Sequence, residues 1–225
     1  MIVAKLKPFP EVKNMLVGYS RVLVAGCGTC VAVCLAGGEK EAGILASQLM
    51  LAAGIDKTDL QATAATVERQ CDREFLRLFK DKVSQVDAVV SLACGAGIQF
   101  LSEEYPSVPV IPGVNTSFIG VAEAAGEWTE RCRACNQCYL GITGGICPVT
   151  MCSKGLLNGP CCGTVHGKCE VDPERNCAWT MIYERLDKQS RGSLQEMTVS
   201  PMKYDMCRRP GKVVHAAYQK RFHIG

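Results

Sequence analysis

Over the first half of the chain, hydrophobic positions follow two alternating periods. "RVLVAG" (21–26) is an unbroken apolar run of strand length, the pattern of a strand covered on both faces. In "GEKEAGILASQLMLAAG" (38–54), Leu45, Leu49 and Ala52 recur at helical spacing with Ile44 and Leu51 beside them, and Gly54 reads as the C-terminal stop. "LQATAATV" (60–67) predicts a second strand. It leads through Cys71 into "DREFLRLFKDKV" (72–83), where Leu76, Phe79 and Val83 repeat at helical intervals. "DAVVSLAC" (87–94) predicts a third strand, "IQFLSEEY" (98–105) a helix and "VPVIPG" (108–113) a fourth strand. Strands alternating with helices imply a parallel sheet with right-handed crossovers, an α/β domain of flavodoxin or Rossmann type.

The pattern changes near Trp128. Beyond it, Gly, Pro and Cys come at short intervals, and the only periodic segment is "CAWTMIYERL" (177–186), which predicts one helix. The expected division is therefore an α/β domain over 1–128 and a loop-rich, Cys-rich domain over 129–225. So many turns are not expected to build a core of their own, which makes bound metal the expected stabiliser of the second domain.

Composition narrows the function classes. An apolar content of 48% with 21% charged residues excludes wholesale disorder, and a net charge of +3 is too small to argue for nucleic acid. The tail "KYDMCRRPGKVVHAAYQKRFHIG" (203–225) is basic, yet it lacks the aromatic interleaving of a nucleic-acid binder. It reads as a solvated or partner-docking tail, with Cys207 a lone thiol. "MLVGYSRVLVAGCG" is too short for a membrane span and is broken by Arg21. The first residues lack the charged-then-apolar order of a signal peptide, so the expected location is cytoplasmic.

Cysteine is the outlier, with fifteen in 225 residues. An odd count in a reducing compartment argues against a disulfide framework. Five of the fifteen lie in the first domain. "GCGTC" (26–30) follows the first strand and invites comparison with a dinucleotide loop, but the G-x-G-x-x-G frame places Val31 where the third glycine belongs. A metal fits better. Cys27, Cys30 and Cys34 stand at C-x2-C-x3-C, Cys71 follows the second strand, and Cys94 ends the third. In a parallel sheet the carboxyl ends of the strands face one crevice, so the topology delivers these thiols to one place. Cys71 also stands at a predicted helix start, where the dipole favours thiolate. Five candidates for four positions leave at least one surplus.

In the second domain, "CRACNQC" sets Cys132, Cys135 and Cys138 at C-x2-C-x2-C, and Cys147 precedes Pro148. The bacterial ferredoxin run is C-x2-C-x2-C-x3-C-P; here eight residues separate the third and fourth cysteines. The triple points to an iron–sulfur cluster, since zinc usually takes two separated pairs. Cys152, Cys161, Cys162, Cys169 and Cys177 follow. Fifteen cysteines divide into three four-cysteine sites with three left over, and the pairing within the second domain stays open. His166 lies among these cysteines in "GTVHGKC", and reads as a surface-loop histidine.

The stretches "CPVTMCSKGLLNGPC" and "GKCEVDPERNCAW", with "GCGTCVAVCLAGGEKEA" near the N-terminus, resemble the methylenetetrahydrofolate reductase C-terminal domain family. The likeness is greatest to its MetV-type iron–sulfur subunits, found in the MetVF reductases of anaerobic bacteria. One departure is visible: the family leads one to expect glycine after Cys161, where this chain has Cys162. Which of the two is a ligand stays open.

The resemblance implies a non-catalytic electron-transfer subunit of an oxidoreductase, carrying two or three [4Fe-4S] clusters, with zinc as the alternative occupant of one site. It implies a TIM-barrel flavoprotein partner that holds FMN and reduces methylenetetrahydrofolate, with further electron-donor subunits alongside. Two other readings remain: a zinc-stabilised scaffold, and a zinc–thiolate accessory of methyl transfer.

Overall fold

The computed structural model describes residues 1–203 and 211–213, so Cys207, His215, His223 and most of the basic tail lie outside the described residues. In chain order the elements are β1 (Ile2–Leu6), α1 (Phe9–Met15), β2 (Arg21–Cys27), α2 (Cys30–Val33), α3 (Glu39–Asp56) and β3 (Gln61–Val67). Next come α4 (Arg73–Leu76), α5 (Lys80–Val83), β4 (Ala88–Ser91), α6 (Gly95–Glu104), β5 (Val110–Pro112), β6 (Val114–Ala124) and β7 (Glu127–Cys132). Two helices complete the series, α7 (Pro148–Met151) and α8 (Ala178–Lys188). The chain divides into two compact units, Met1–Glu130 and Arg131–Gly225.

The first unit is the expected α/β fold, with four parallel strands in the order β3-β2-β4-β5. β2 is buried from Val22 to Cys27 because helices cover both of its faces. Its side chains alternate. Val22 and Val24 join a core with Val12 and Leu16 of α1 and Leu45 and Leu49 of α3. Leu23 and Ala25 face the opposite side, with Leu76, Phe79, Val83 and Leu101. Among the described residues, no helix is long and apolar enough to cross a membrane.

Several local expectations differ from the structure. α3 runs through Gly54 to Asp56 and ends at Lys57, whose φ of 56° supplies the left-handed stop. Gly54 has open space around it, so its cost inside the helix is only the backbone entropy of about 1 kcal/mol. The segment expected as one helix over 72–83 forms α4 and α5 with a 3₁₀ turn, Arg77–Phe79, between them. The tighter turn puts Leu76 and Phe79, three residues apart, on one face toward the sheet. A second sheet, β1-β6-β7, has no counterpart among the expected elements; β1 pairs antiparallel with β6, Ile2 opposite Ile119.

The second unit does have an apolar cluster of its own, contrary to the expectation that its loops could build none. α8 supplies Trp179, Ile182 and Leu186, against which Cys177, Ile146, Cys152, Tyr183 and Leu194 pack. The loops fasten to the same helix. Trp179 Nε1 donates to the Leu156 carbonyl at 3.0 Å and the Tyr183 hydroxyl to the Gly159 carbonyl at 3.0 Å.

At the N-terminal ends of the parallel strands, Asp87 accepts from Arg21 Nη2 at 2.7 Å, from the Arg21 backbone N–H at 2.9 Å and from the Ser20 N–H at 3.3 Å. The Arg21 guanidinium, helped by those N–H groups, holds the Asp87 carboxyl below its ordinary value. A depressed folded-state value contributes stability that is present above the unfolded carboxylate value, about 3.9, and is lost as pH falls through the folded one. Asp87→Asn is accordingly expected to lower the melting temperature at pH 7 and to flatten the acid limb of a melting-temperature profile below about pH 4. A profile parallel to wild type throughout would show that the pair does not contribute.

Candidate metal centre

Three loops leave the carboxyl ends of β2, β3 and β4, and each carries thiols. At the first, Gly26 leaves β2 so close to β3 that a Cβ would stand 2.2 Å from Thr66 Oγ1. The Cys27 N–H then donates to the Gly37 carbonyl at 2.7 Å and the Gly28 N–H to the Val67 carbonyl at 2.9 Å, fixing the turn that leads to Cys30 at the start of α2. At the second, Gln70 and Cys71 follow the end of β3 after the two residues Glu68 and Arg69. At the third, Leu92 and Ala93 lead to Cys94, the residue before α6. β2 lies between β3 and β4, so the connections on its two sides diverge from it. That is the switch-point crevice in which open α/β sheets bind ligands.

Cys27, Cys30, Cys71 and Cys94 come together there. Burial raises the Cys71 thiol above its ordinary value, and Cys27, Cys94 and Cys30 each push it further in the same direction. Cys71 is exposed, Cys30 and Cys94 are half-buried and Cys27 is buried, so the group runs from the core to the surface. An open hollow of about 300 Å³ beside Cys71, lined by Ala96, Gln99, Phe100 and Glu103, gives access from solvent. Cys71 stands two residues before the four-residue α4, whose Glu74 N–H donates to the Asp72 side chain at 3.1 Å, and so short a helix carries little of the dipole expected at that position.

Cys34 stands apart from this group. α2 ends at Val33 and Leu35 takes a φ of 54°, which turns Cys34 inward; its sulfur lies 3.5 Å from both the N and the O of Ala4 and 3.5 Å from the Val31 carbonyl. It packs as a small core residue.

Two residues of this region carry no signal in cysteine spacing. Gln70 is fully buried. Its Nε2 donates to the carbonyls of Ala25 and Gly26, both at 2.9 Å, while its Oε1 accepts from the Ser91 hydroxyl at 2.6 Å. Ser91 Oγ in turn accepts from the Ala93 N–H at 3.2 Å. α6 seats directly on this group: a Cβ at Gly97 would stand 2.7 Å from Ala93 Cβ and 3.0 Å from Gln70 Cβ. Ser91 is legible in principle, since a hydroxyl inside the apolar run "AVVSLA" demands a partner.

In the second unit, Cys132 ends β7 and Cys147 and Cys152 flank α7. The Thr150 hydroxyl donates to the Arg131 carbonyl at 3.2 Å, tying the C-x2-C-x2-C loop to α7. Ala134 and Asn136 have φ of 50° and 61°, and the Ala134 N–H donates to Cys132 Sγ at 3.3 Å. Cys138 is exposed and Cys135 is half-buried. Cys169 lies 3.5 Å from Ser153 Oγ; that hydroxyl, with the Val171 and Asp172 N–H groups, lowers its thiol. Burial works to raise the Cys177 thiol, but hydrogen bonds from Thr180, Trp179 and Thr164 outweigh it and bring the value down. Cys161 Sγ is 3.7 Å from Glu170 Oε1, and Glu170 pairs with Lys154, so the loops bearing Cys152, Cys161 and Cys169 adjoin. Cys162 is exposed, with φ 61°, and its charge adds to the burial that raises Tyr183. His166 is exposed at φ 50°.

Among the described residues, no three His, Cys, Asp or Glu side chains already stand in a metal-binding arrangement. The donor chemistry nonetheless fits a soft metal: the first-unit group consists of sulfur alone, as iron–sulfur clusters and zinc prefer. A hollow of about 360 Å³ lined by Lys13, Tyr19, Asp56 and Leu60 lies by the N-terminal ends of β2 and β3, and no cysteine lines it.

A doubly wound α/β unit with thiols at its switch point, followed by a cysteine-rich unit built on one helix, defines the class of this protein. Residues 111–205, somewhat under half of the chain, match the family described as methylene-tetrahydrofolate reductase C terminal. Cys27, Cys30, Cys71 and Cys94 precede the matched segment. No curated protein and no solved structure matches the chain.

The left-handed backbone at Cys162 accounts for the glycine that the family resemblance leads one to expect there, because a side chain in that conformation costs about 1 kcal/mol. Cys162→Gly is expected to be more stable than Cys162→Ala by about that amount in chemical denaturation of the metal-free chain. Equal stabilities would refute the backbone explanation.

Proposed function

We propose that the chain is an iron–sulfur electron-transfer subunit of a methylenetetrahydrofolate reductase complex, exchanging electrons with the FMN of a separate TIM-barrel catalytic subunit. The observation that carries this reading is the delivery of four thiols to one switch-point crevice, in a chain whose second unit holds a further nine described cysteines within a reductase-related segment. Cys27, Cys30, Cys71 and Cys94 would hold one centre. Cys132, Cys135, Cys138 and Cys147 are the candidates for a second. Cys152, Cys161 or Cys162, Cys169 and Cys177 are those for a third. A bound cluster supplies reversible one-electron transfer, its potential set by hydrogen bonds to sulfur, burial and net charge.

The chain's own groups are arranged to set those terms. The Ala134 N–H donates to Cys132 Sγ, and the hydroxyl and N–H groups around Cys169 stabilise the anionic form of that sulfur. At Cys71, by contrast, burial and three neighbouring thiols disfavour the thiolate, a cost that a cation bound beside it would offset. The exposure of Cys71 leaves that end of the crevice open to a partner's redox group.

Purification without oxygen, with iron, sulfide and zinc measured and optical and EPR spectra recorded before and after dithionite, tests the reading. A brown protein whose absorption bleaches on reduction is expected. A colourless protein with stoichiometric zinc and no iron, made under conditions that allow cluster assembly, would instead establish the zinc scaffold. Cys71→Ser is expected to lose the first unit's share of iron and Cys135→Ser a share belonging to the second. Cys34→Ala should keep the full complement while losing about 1 kcal/mol of stability, as a buried position that ligates nothing.

A further inference from the structure

We infer that Gln70 is a positioning residue for the first-unit thiol centre: one buried side-chain amide fastens together the three strand exits that carry Cys27 and Cys30, Cys71, and Cys94. The inference rests on the metal-centre reading above.

The amide reaches every exit. Nε2 holds the carbonyls of Ala25 and Gly26, the two residues before Cys27, at 2.9 Å each. Gln70 is itself the residue before Cys71. Oε1 holds the Ser91 hydroxyl at 2.6 Å, and that hydroxyl holds the Ala93 N–H, one residue before Cys94, at 3.2 Å. Each thiol-bearing loop is thus tied to the same group within three residues of a cysteine.

Filling space does not require an amide. A buried polar side chain is costly unless its hydrogen bonds are met, and an apolar side chain of similar length would occupy the same volume without that demand. Gln70 meets the demand with both amide hydrogens and its oxygen, and all three bonds run to backbone or side chain of strands other than its own. The parallel ladder already fixes the strands as far as Cys27, Val67 and Ser91. The loops that carry Cys71 and Cys94 lie beyond that ladder, and Gln70, three residues past the end of β3, ties its own loop back to the last residues of the neighbouring strands, Ala25, Gly26 and Ser91. A set of ligands on three loops binds metal tightly only when the loops are held in place beforehand, and partners that orient metal ligands typically contribute 10–100-fold in affinity.

The test uses the full chain, metal-free and anaerobic, titrated with cobalt(II) and followed by its thiolate-to-cobalt absorption. The absorption missing from Cys71→Ser defines the first unit's share. Gln70→Met keeps the volume and removes the hydrogen bonds. It is expected to fold, to keep the second unit's share, and to weaken cobalt binding in the first by about 10–100-fold. Ser91→Ala, which leaves the bonds to Ala25 and Gly26 in place, is expected to weaken it less. Phe79→Leu, in the core beneath the sheet, is the control for stability alone, and is expected to leave cobalt affinity unchanged. Cobalt affinity of Gln70→Met within about twofold of wild type would overturn the inference, as would an equal loss in Phe79→Leu at matched melting temperature. Should Gln70→Met fail to fold, Ser91→Ala decides: wild-type affinity there overturns the inference and a selective loss in the first unit sustains it. Equal cobalt uptake by wild type and Cys71→Ser would be a different result, overturning the metal-centre reading and with it the inference.

Discussion

The position of β2 between β3 and β4 is the constraint on which the thiol centre depends. Ala25 stands opposite Ala65 on one side and Ser91 on the other, so the neighbouring strands run level with β2 as all three approach their carboxyl ends. Because the pairing is parallel, those ends share one edge of the sheet. Chain direction and register alone therefore bring together residues 27, 71 and 94, which are far apart in sequence. The cost of ordering so long a stretch is met by apolar burial on both faces of β2.

The two units treat sulfur differently. In the first, the thiols project from the end of a well-packed sheet, and burial together with their mutual proximity raises Cys71. In the second, an apolar cluster on α8 holds short loops whose hydroxyl and N–H groups point at sulfur, and Cys169 and Cys177 are lowered. One unit gathers its cysteines through topology and the other through local hydrogen bonding. Sequence distance reflects this: the first group spreads over 68 positions in three loops, whereas Cys169 and Cys177 share one turn-rich segment closed by the Cys177 N–H to the Gly167 carbonyl at 2.7 Å.

The parallel sheet was legible because its signals are local. "RVLVAG" and "DAVVSLAC" are apolar runs bounded by turns, and the rule that ligands meet at carboxyl ends of strands locates Cys27, Cys71 and Cys94 without coordinates. β1 and β6 were not legible, since Ile2 and Ile119 meet only through a pairing across most of the unit. Cys34 shares the C-x2-C-x3-C spacing with Cys27 and Cys30, and only the structure shows that α2 stops at Val33 and that its sulfur lies against Ala4 and the Val31 carbonyl. Gln70 left no trace in the pattern. A glutamine in "VERQCDRE" looks like any loop residue, and only the fold shows that its amide points inward to two carbonyls and a hydroxyl. In the second unit the cysteine spacing was plain, but the role of α8 as the spine under the loops appears only in the packing of Trp179 and Tyr183.

Gly97 has a wider bearing. With only hydrogen at that position, α6 lies against Ala93 and Gln70 with no spare volume between them. The helix that begins beside Cys94 thus presses on the very side chain that ties the other strand exits. Close-packed interiors transmit strain rather than absorb it. The edge of the sheet is therefore packed as one body rather than as three separate arms, with the start of α6 and the Gln70 amide filling the space between the strand exits.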